Sequence, residues 1–355
     1  MLWQSVVPVT AAVIVVLVAS QIPPLPGIDT SVLAEQAIYS PNGALARFSI
    51  FALGVMPLFT VLAHVEIAKL IFPPSLARCQ IASSGNAFRI SVVIKSIVLL
   101  FTAIQAYGMM SALAAMDLVE GFPGATSVGI VSFVGTTAVL IWLNDIARFP
   151  PNLGNGVWLL LAIPLLGALP LDLVTSIELT RFGAVSAMDW LIATPVILLA
   201  VWMIVVANAL LSGKGGEAAP KLSLTVLLWP PFLASTVAGY LFIVPLIFTP
   251  PELFSDTPWL LNLGALALSA ILIPLFVYGY HRLISITQPE IACGEIRSIL
   301  VAVAGVQFLV CIGMGILRQA TSFSFIPSGG MLIVCVTVLL AFRSLLDECF
   351  GGVGA

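Results

Sequence analysis

Apolar runs of about twenty residues follow one another along almost the whole chain, separated by short stretches rich in proline, glycine and charge. A bilayer core asks for about 20 apolar residues per helix. Segments near 2–20, 48–71, 90–115, 126–146, 156–175, 189–211, 222–247, 259–285, 298–317 and 327–346 meet that requirement. The pattern predicts an all-α membrane protein of about ten transmembrane helices, with almost none of its mass outside the bilayer. The longest connection is the stretch 21–47, and the rest are short.

Composition agrees. The 355 residues are 60% hydrophobic and 8% charged, with a mean hydropathy of +1.16. A soluble domain carries roughly 25% charged residues, and 8% cannot coat a water-soluble particle of this size. Lipid is therefore the expected solvent for most of the surface. A net charge of −3 without basic runs argues against nucleic acid as a partner. The apolar stretch from Leu2 to about Ser20 has no positive residues ahead of it and no small-residue cleavage pattern behind it. It reads as a retained span rather than a signal peptide.

The candidate chemistry is sparse. Cys79, Cys293, Cys311, Cys335 and Cys349 form no CxxC pair and have no metal-ligand spacing with either histidine, so they read as free thiols. No nucleotide-binding, hydrolase or redox motif is present, and no metal or cofactor is expected. Lys and Arg favour cytoplasmic loops. With ten spans and a cytoplasmic N-terminus, Lys69, Arg78, Arg89, Lys95, Arg148, Lys214, Lys221, Arg282, Arg297 and Arg343 fall inside. Only Arg47, Arg181 and Arg318 fall outside, which selects both termini in the cytoplasm. Asp145 with Arg148 reads as an interfacial helix end, and His281 with Arg282 as a positive-inside anchor; Lys95, Gln105 and Asn144 are further polar candidates.

Two spans are broken by proline about half a chain apart: span 2 at Gly54-Val55-Met56-Pro57, span 7 at Leu228-Trp229-Pro230-Pro231. Such pairs mark the pathway of some transporters and channels, and proline also occurs in spans for packing alone.

Four segments carry more. Span 1 ends Ser20-Gln21-Ile22-Pro23-Pro24-Leu25-Pro26-Gly27-Ile28-Asp29, and span 2 is entered by Asn42-Gly43-Ala44-Leu45-Ala46-Arg47-Phe48-Ser49-Ile50-Phe51-Ala52-Leu53-Gly54-Val55-Met56-Pro57. The junction of spans 4 and 5 reads Trp142-Leu143-Asn144-Asp145-Ile146, then Leu153-Gly154-Asn155-Gly156; span 7 carries Pro230-Pro231-Phe232-Leu233-Ala234-Ser235. In this order and spacing they resemble the SecY family, the pore subunit of the protein-conducting channel. The span 10 stretch Gly329-Gly330-Met331-Leu332-Ile333-Val334 and the span count agree.

The resemblance implies two pseudo-symmetric five-helix halves, 1–180 and 181–355, closing as a clamshell around an hourglass pore. A ring of apolar side chains would seal the waist: Val55 and Phe59, Val157 and Leu161, Leu228 and Phe232, and Ile333. The first three pairs are spaced i, i+4, each on one helical face. Phenylalanine at 59 and 232 departs from the family's aliphatic choice and would narrow the waist. A plug would lie near 34–48, and a lateral exit between spans 2 and 7 would place Thr60, His64 and Glu66 as gate candidates. Implied partners are a small SecE-like membrane subunit and nascent or secretory polypeptides, in the inner membrane. The role is sieving, not catalysis.

Plainer readings stand beside these. The seven ring candidates also read as ordinary packed hydrophobes, and Glu66 with Lys69 as a self-neutralising i, i+3 pair near the cytoplasmic interface. The family's basic cytoplasmic loops are short here, at Ser212–Lys221 and roughly Thr287–Arg297. These departures put ribosome or SecA docking in question. They favour, as the alternative to a channel, a non-conducting structural or regulatory subunit. A small-molecule transporter would need polar groups converging at midplane, and spans 5, 7 and 10 offer few.

Overall fold

The computed structural model describes residues 2–19, 53–72, 84–115, 124–146, 153, 155–213, 222–248, 258–287, 293–321, 323 and 326–351. Among them all regular structure is helical, in ten helices: α1 Leu2–Ala19, α2 Met56–Ile71, α3 Ser84–Ala115, α4 Ala125–Ile146, α5 Val157–Arg181, α6 Ala187–Leu211, α7 Thr225–Phe248, α8 Pro258–Thr287, α9 Cys293–Ala320 and α10 Gly329–Gly351. Each falls on one predicted span. Seven of them contain stretches long and apolar enough to cross a membrane, and α1 and α10 contain shorter apolar ones. The expected plug at 34–48, the resemblance segments 20–29 and 42–52, Arg148 and most of the two shortened loops lie outside the described residues.

The chain divides into two compact units. Unit 1 comprises Met1–His64, Cys79–Phe149 and Asn155–Gly167. Its clearest pairing is α3 against α4. On α3 the buried residues are Val98, Thr102, Ala106, Met110 and Leu113; on α4 they include Gly129, Phe133, Thr137 and Leu140. Both sets step by three or four residues, so each forms one stripe along its helix. Met110 fills the space opposite Gly129, where an added Cβ would meet its Cε at 2.8 Å. The outer face of α3 is apolar too, with Val93, Leu100, Ile104 and Tyr107 exposed. An outward stripe of this kind fits contact with lipid, away from the polar positions Arg89 and Lys95 nearer the start of the helix.

Unit 2 comprises Val65–Arg78, Pro150–Gly154 and Ala168–Ala355. Here α9 is the hub, packed against α6, α7, α8 and α10. Ala234 and Ala238 of α7, one turn apart, meet Leu272 and Ile273 of α8 in a core that Cys311 of α9 flanks. Small residues at that spacing let helices approach closely, which drives packing where lipid supplies no hydrophobic push.

The turns have local causes. At the end of α5 the Ala184 amide donates to Leu179 O at 2.9 Å and Gly183 takes φ 74°, a left-handed position that glycine fills without a Cβ clash. Ser186 then caps α6: its side chain accepts from the Met188 amide, and Asp189 accepts from the Ser186 amide. At the far end of α6 the Leu222 amide donates to Leu211 O at 3.0 Å, which ties the start of the α7 approach to the last turn of α6.

The two proline sites differ. Pro57 sits in the first turn of α2, where a missing N–H costs nothing, and so does not interrupt the described helix. Pro230 and Pro231 lie inside α7, beyond its first turn.

Candidate functional site

In unit 1, Gly54 at φ 50° turns the chain into α2, and the Phe59 amide closes the first full turn on Val55 O at 2.8 Å. Phe59 then meets Trp158 edge to face, with ring centroids 5.8 Å apart at 74°. That contact brings the α2 candidates against the first turn of α5, where Val157 lies. The run from Val157 to Ile163, which includes Leu161, is buried on every side of the helix. Val55 and Phe59 are buried as well.

In unit 2 the first half of α7 is likewise encased, from Val226 to Ala234. Leu228 is wholly buried and Phe232 is 9% exposed. Ser328 accepts from the Met331 amide and caps α10. Gly330 of α10 lies against α7: a Cβ there would sit 3.5 Å from Pro231 Cβ and 3.6 Å from the Phe232 ring. Ile333, one turn on, is fully buried. Gly329 is tighter still, since a Cβ would lie 2.8 Å from both Cys311 N and Val310 O of α9.

The gate candidates are arranged along α2. Thr60 Oγ1 donates to Met56 O at 2.8 Å, and His64 Nδ1 sits 2.7 Å from Thr60 O, so both side chains engage their own helix. His64 is exposed. Glu66 forms the i, i+3 pair with Lys69 at 2.6 Å. Its other oxygen accepts from the hydroxyl of Tyr280 on α8 at 3.3 Å, within unit 2. Asp145 pairs across to Lys95 of α3 at 2.5 Å, a partner 50 positions away that no local spacing reveals.

Two more residues are not revealed by local spacing. Tyr280 sits 214 positions from Glu66, and no periodicity links them. Gln307, on α9, is fully buried and donates from Nε2 to Val226 O and to Leu227 O, each at 2.8 Å. The available signal was a glutamine in an apolar span together with two consecutive prolines in another.

Among the described residues, these geometries put apolar side chains at encased helix starts, and the gate-candidate polar groups bond to their own or a neighbouring helix. Comparison with known proteins agrees. The family model described as SecY matches residues 49–214, a little under half of the chain. That stretch contains Val55, Phe59, Val157 and Leu161, and ends before α7 and α10.

Curated relatives carry the name protein translocase subunit SecY. The one from Buchnera aphidicola subsp. Baizongia pistaciae is 29% identical over 177 residues, covering 45% of this chain and 40% of the relative. The one from Escherichia coli K12 is 29% identical over 191 residues, covering 49% and 42%. The one from Buchnera aphidicola subsp. Acyrthosiphon kondoi is 30% identical over 193 residues, covering 49% and 53%. The chain thus spans about half the length of the curated relatives it matches. The SecY match, the SecY-named relatives and an all-helical, membrane-spanning fold together support this chain's membership of the SecY family.

Proposed function

We propose that the chain is a reduced SecY-like channel subunit that translocates polypeptides or inserts them into the membrane. The observation that carries this reading is the SecY match over residues 49–214, which takes in four of the candidate waist residues. The seven candidates Val55, Phe59, Val157, Leu161, Leu228, Phe232 and Ile333 are all apolar and all buried, as an ion-tight constriction needs. In this reading the two halves, 1–180 and 181–355, contribute four and three of them. A narrow apolar waist excludes water and ions while closing around a passing chain.

Thr60, His64 and Glu66 line the lateral exit in this proposal, and segment 34–48 forms the plug. A SecE-like subunit braces the clamshell in an inner membrane, with both termini cytoplasmic. The short 212–221 and 287–297 connections leave little platform for a ribosome or SecA, so coupling to a motor is the function this chain has most reduced.

The test is photocrosslinking. A photoreactive residue at Phe59 or Phe232, in cells translating a stalled membrane-protein nascent chain, gives adducts to that chain if polypeptide occupies the waist. Absence of adducts, with a SecY control positive in the same assay, transfers the chain to the alternative, a non-conducting structural or regulatory subunit. The bulky phenylalanines at 59 and 232 favour that alternative.

A further inference from the structure

A proline inside a helix removes the hydrogen bond that its N–H would make to the carbonyl four residues earlier, and its ring crowds that carbonyl. In α7 the pair Pro230 and Pro231 therefore strips two consecutive carbonyls, those of Val226 and Leu227. The Leu228 amide is engaged earlier in the helix, on Leu224 O at 3.1 Å, and neither proline has an N–H to offer the two carbonyls. In a membrane interior no water is at hand to take over, so freed backbone groups must find partners on neighbouring helices.

The two carbonyls that Gln307 Nε2 reaches are those same two, each at 2.8 Å. The amide group has two N–H bonds, so one side chain meets both needs. Its orientation is fixed by chemistry: the flipped amide would set Oε1 against two carbonyl oxygens. The cost is visible at the other end of the group, where Oε1 is buried with no hydrogen-bond partner among the described residues. A side chain that leaves its own acceptor unserved in order to serve two backbone carbonyls is committed to the break in α7.

We infer that Gln307 is a positioning residue: it replaces the two N–H groups that Pro230 and Pro231 lack, and so holds the broken turn that carries Leu228 and Phe232. Those two residues flank the proline pair, one turn apart, and Phe232 rests against Gly330 of α10. Any change in how the broken turn is held moves Phe232 relative to α10. The functional consequence rests on the proposed channel reading; the positioning itself does not.

The experiment is a mutant cycle on the full chain in membranes. Gln307→Leu should lower Tm by about 5 °C when the prolines are present. With Pro230→Ala and Pro231→Ala, α7 supplies its own two N–H groups, and the same Gln307→Leu change should then cost nothing. A Gln307→Leu chain that fails to accumulate must recover when both prolines are replaced. An equal cost in both backgrounds, or no recovery, overturns the inference.

The positioning readout is an internal crosslink. A benzoylphenylalanine at Phe232 should give adducts on α10 around Gly330, mapped by mass spectrometry, and Gln307→Leu should redistribute them. The control Gln105→Leu on α3 should leave the map unchanged. An unchanged map in Gln307→Leu refutes the positioning role even if stability falls. Failure of nascent chains to crosslink at Phe232 in the otherwise unaltered protein would sink the channel reading alone, because neither the cycle nor the internal map depends on conduction.

Discussion

The hydroxyl of Tyr280 donates to Glu66 Oε2 at 3.3 Å while Glu66 Oε1 holds Lys69 at 2.6 Å, so one carboxylate ties the last turns of α2 to itself and to α8. The side chains of Lys69 and Glu66 are only 22% and 13% exposed. Removing one charge of a largely buried pair strands the other, whereas removing both does not. Glu66→Leu should therefore destabilise by about 2–3 kcal/mol. Tyr280→Phe should cost about 1 kcal/mol, and the double change Glu66→Leu with Lys69→Leu less than Glu66→Leu alone. Thermal unfolding of the purified protein in nanodiscs orders the three variants. A double variant worse than the single would show that the pair contributes more than mutual neutralisation.

Adjacent glycines at the start of α10 should respond differently to alanine. A Cβ on Gly329 meets backbone atoms of α9, Cys311 N and Val310 O, at 2.8 Å. Backbone cannot rotate away, so Gly329→Ala should cost about 1–3 kcal/mol and reduce accumulation in the membrane. A Cβ on Gly330 meets Pro231 Cβ and the Phe232 ring at 3.5 and 3.6 Å, ordinary contact distances. Gly330→Ala should lie within about 0.5 kcal/mol of the parent protein.

The proposed waist predicts a leak. If Phe59 and Phe232 close an apolar constriction, Phe59→Ala and Phe232→Ala should raise resting ion conductance several-fold in planar bilayers. Leu300→Ala, a buried α9 position outside the candidate set, should not. Equal conductance in all three variants would count against the sieve.

Lys95 and Asp145 offer a contrasting ion pair, with side chains 37% and 45% exposed. Solvent screening at that exposure leaves little net gain. Lys95→Ala and Asp145→Ala should each change stability by less than about 1 kcal/mol, and less still at high salt. A larger loss in the same unfolding assay would mean that the pair is better shielded than its exposure implies.

Helix number was legible because a span is a local property: twenty apolar residues in a row announce it whatever they pack against. Helix ends were less so. α3 begins at Ser84 rather than near 90, α5 runs on to Arg181 past 175, and α9 begins at Cys293 rather than near 298. In each case the helix continues into residues too polar to be counted as membrane-buried, such as Arg89, Glu178 and Arg297.

The Glu66–Lys69 pair was readable from its i, i+3 spacing. The partners that cross between helices were not: Tyr280 for Glu66, Lys95 for Asp145, and Gln307 for the α7 carbonyls. Those pairings depend on which faces of distant helices meet, and a uniformly apolar span does not encode its facing side in its periodicity. Pro57 and Pro230 looked equivalent in sequence because both sit in apolar runs. Helix position, first turn against interior, is what separates them.

The bond from the Leu222 amide to Leu211 O has an evolutionary consequence. It anchors both ends of the connection between α6 and α7 independently of whatever chain runs between them. Lengthening a loop whose ends are already held together adds only closure entropy, about 0.6 kcal/mol per doubling of its length. The 212–221 connection is therefore a modular position: extra residues can be gained or lost there through small steps in length, with no need to rebuild the helices that flank it.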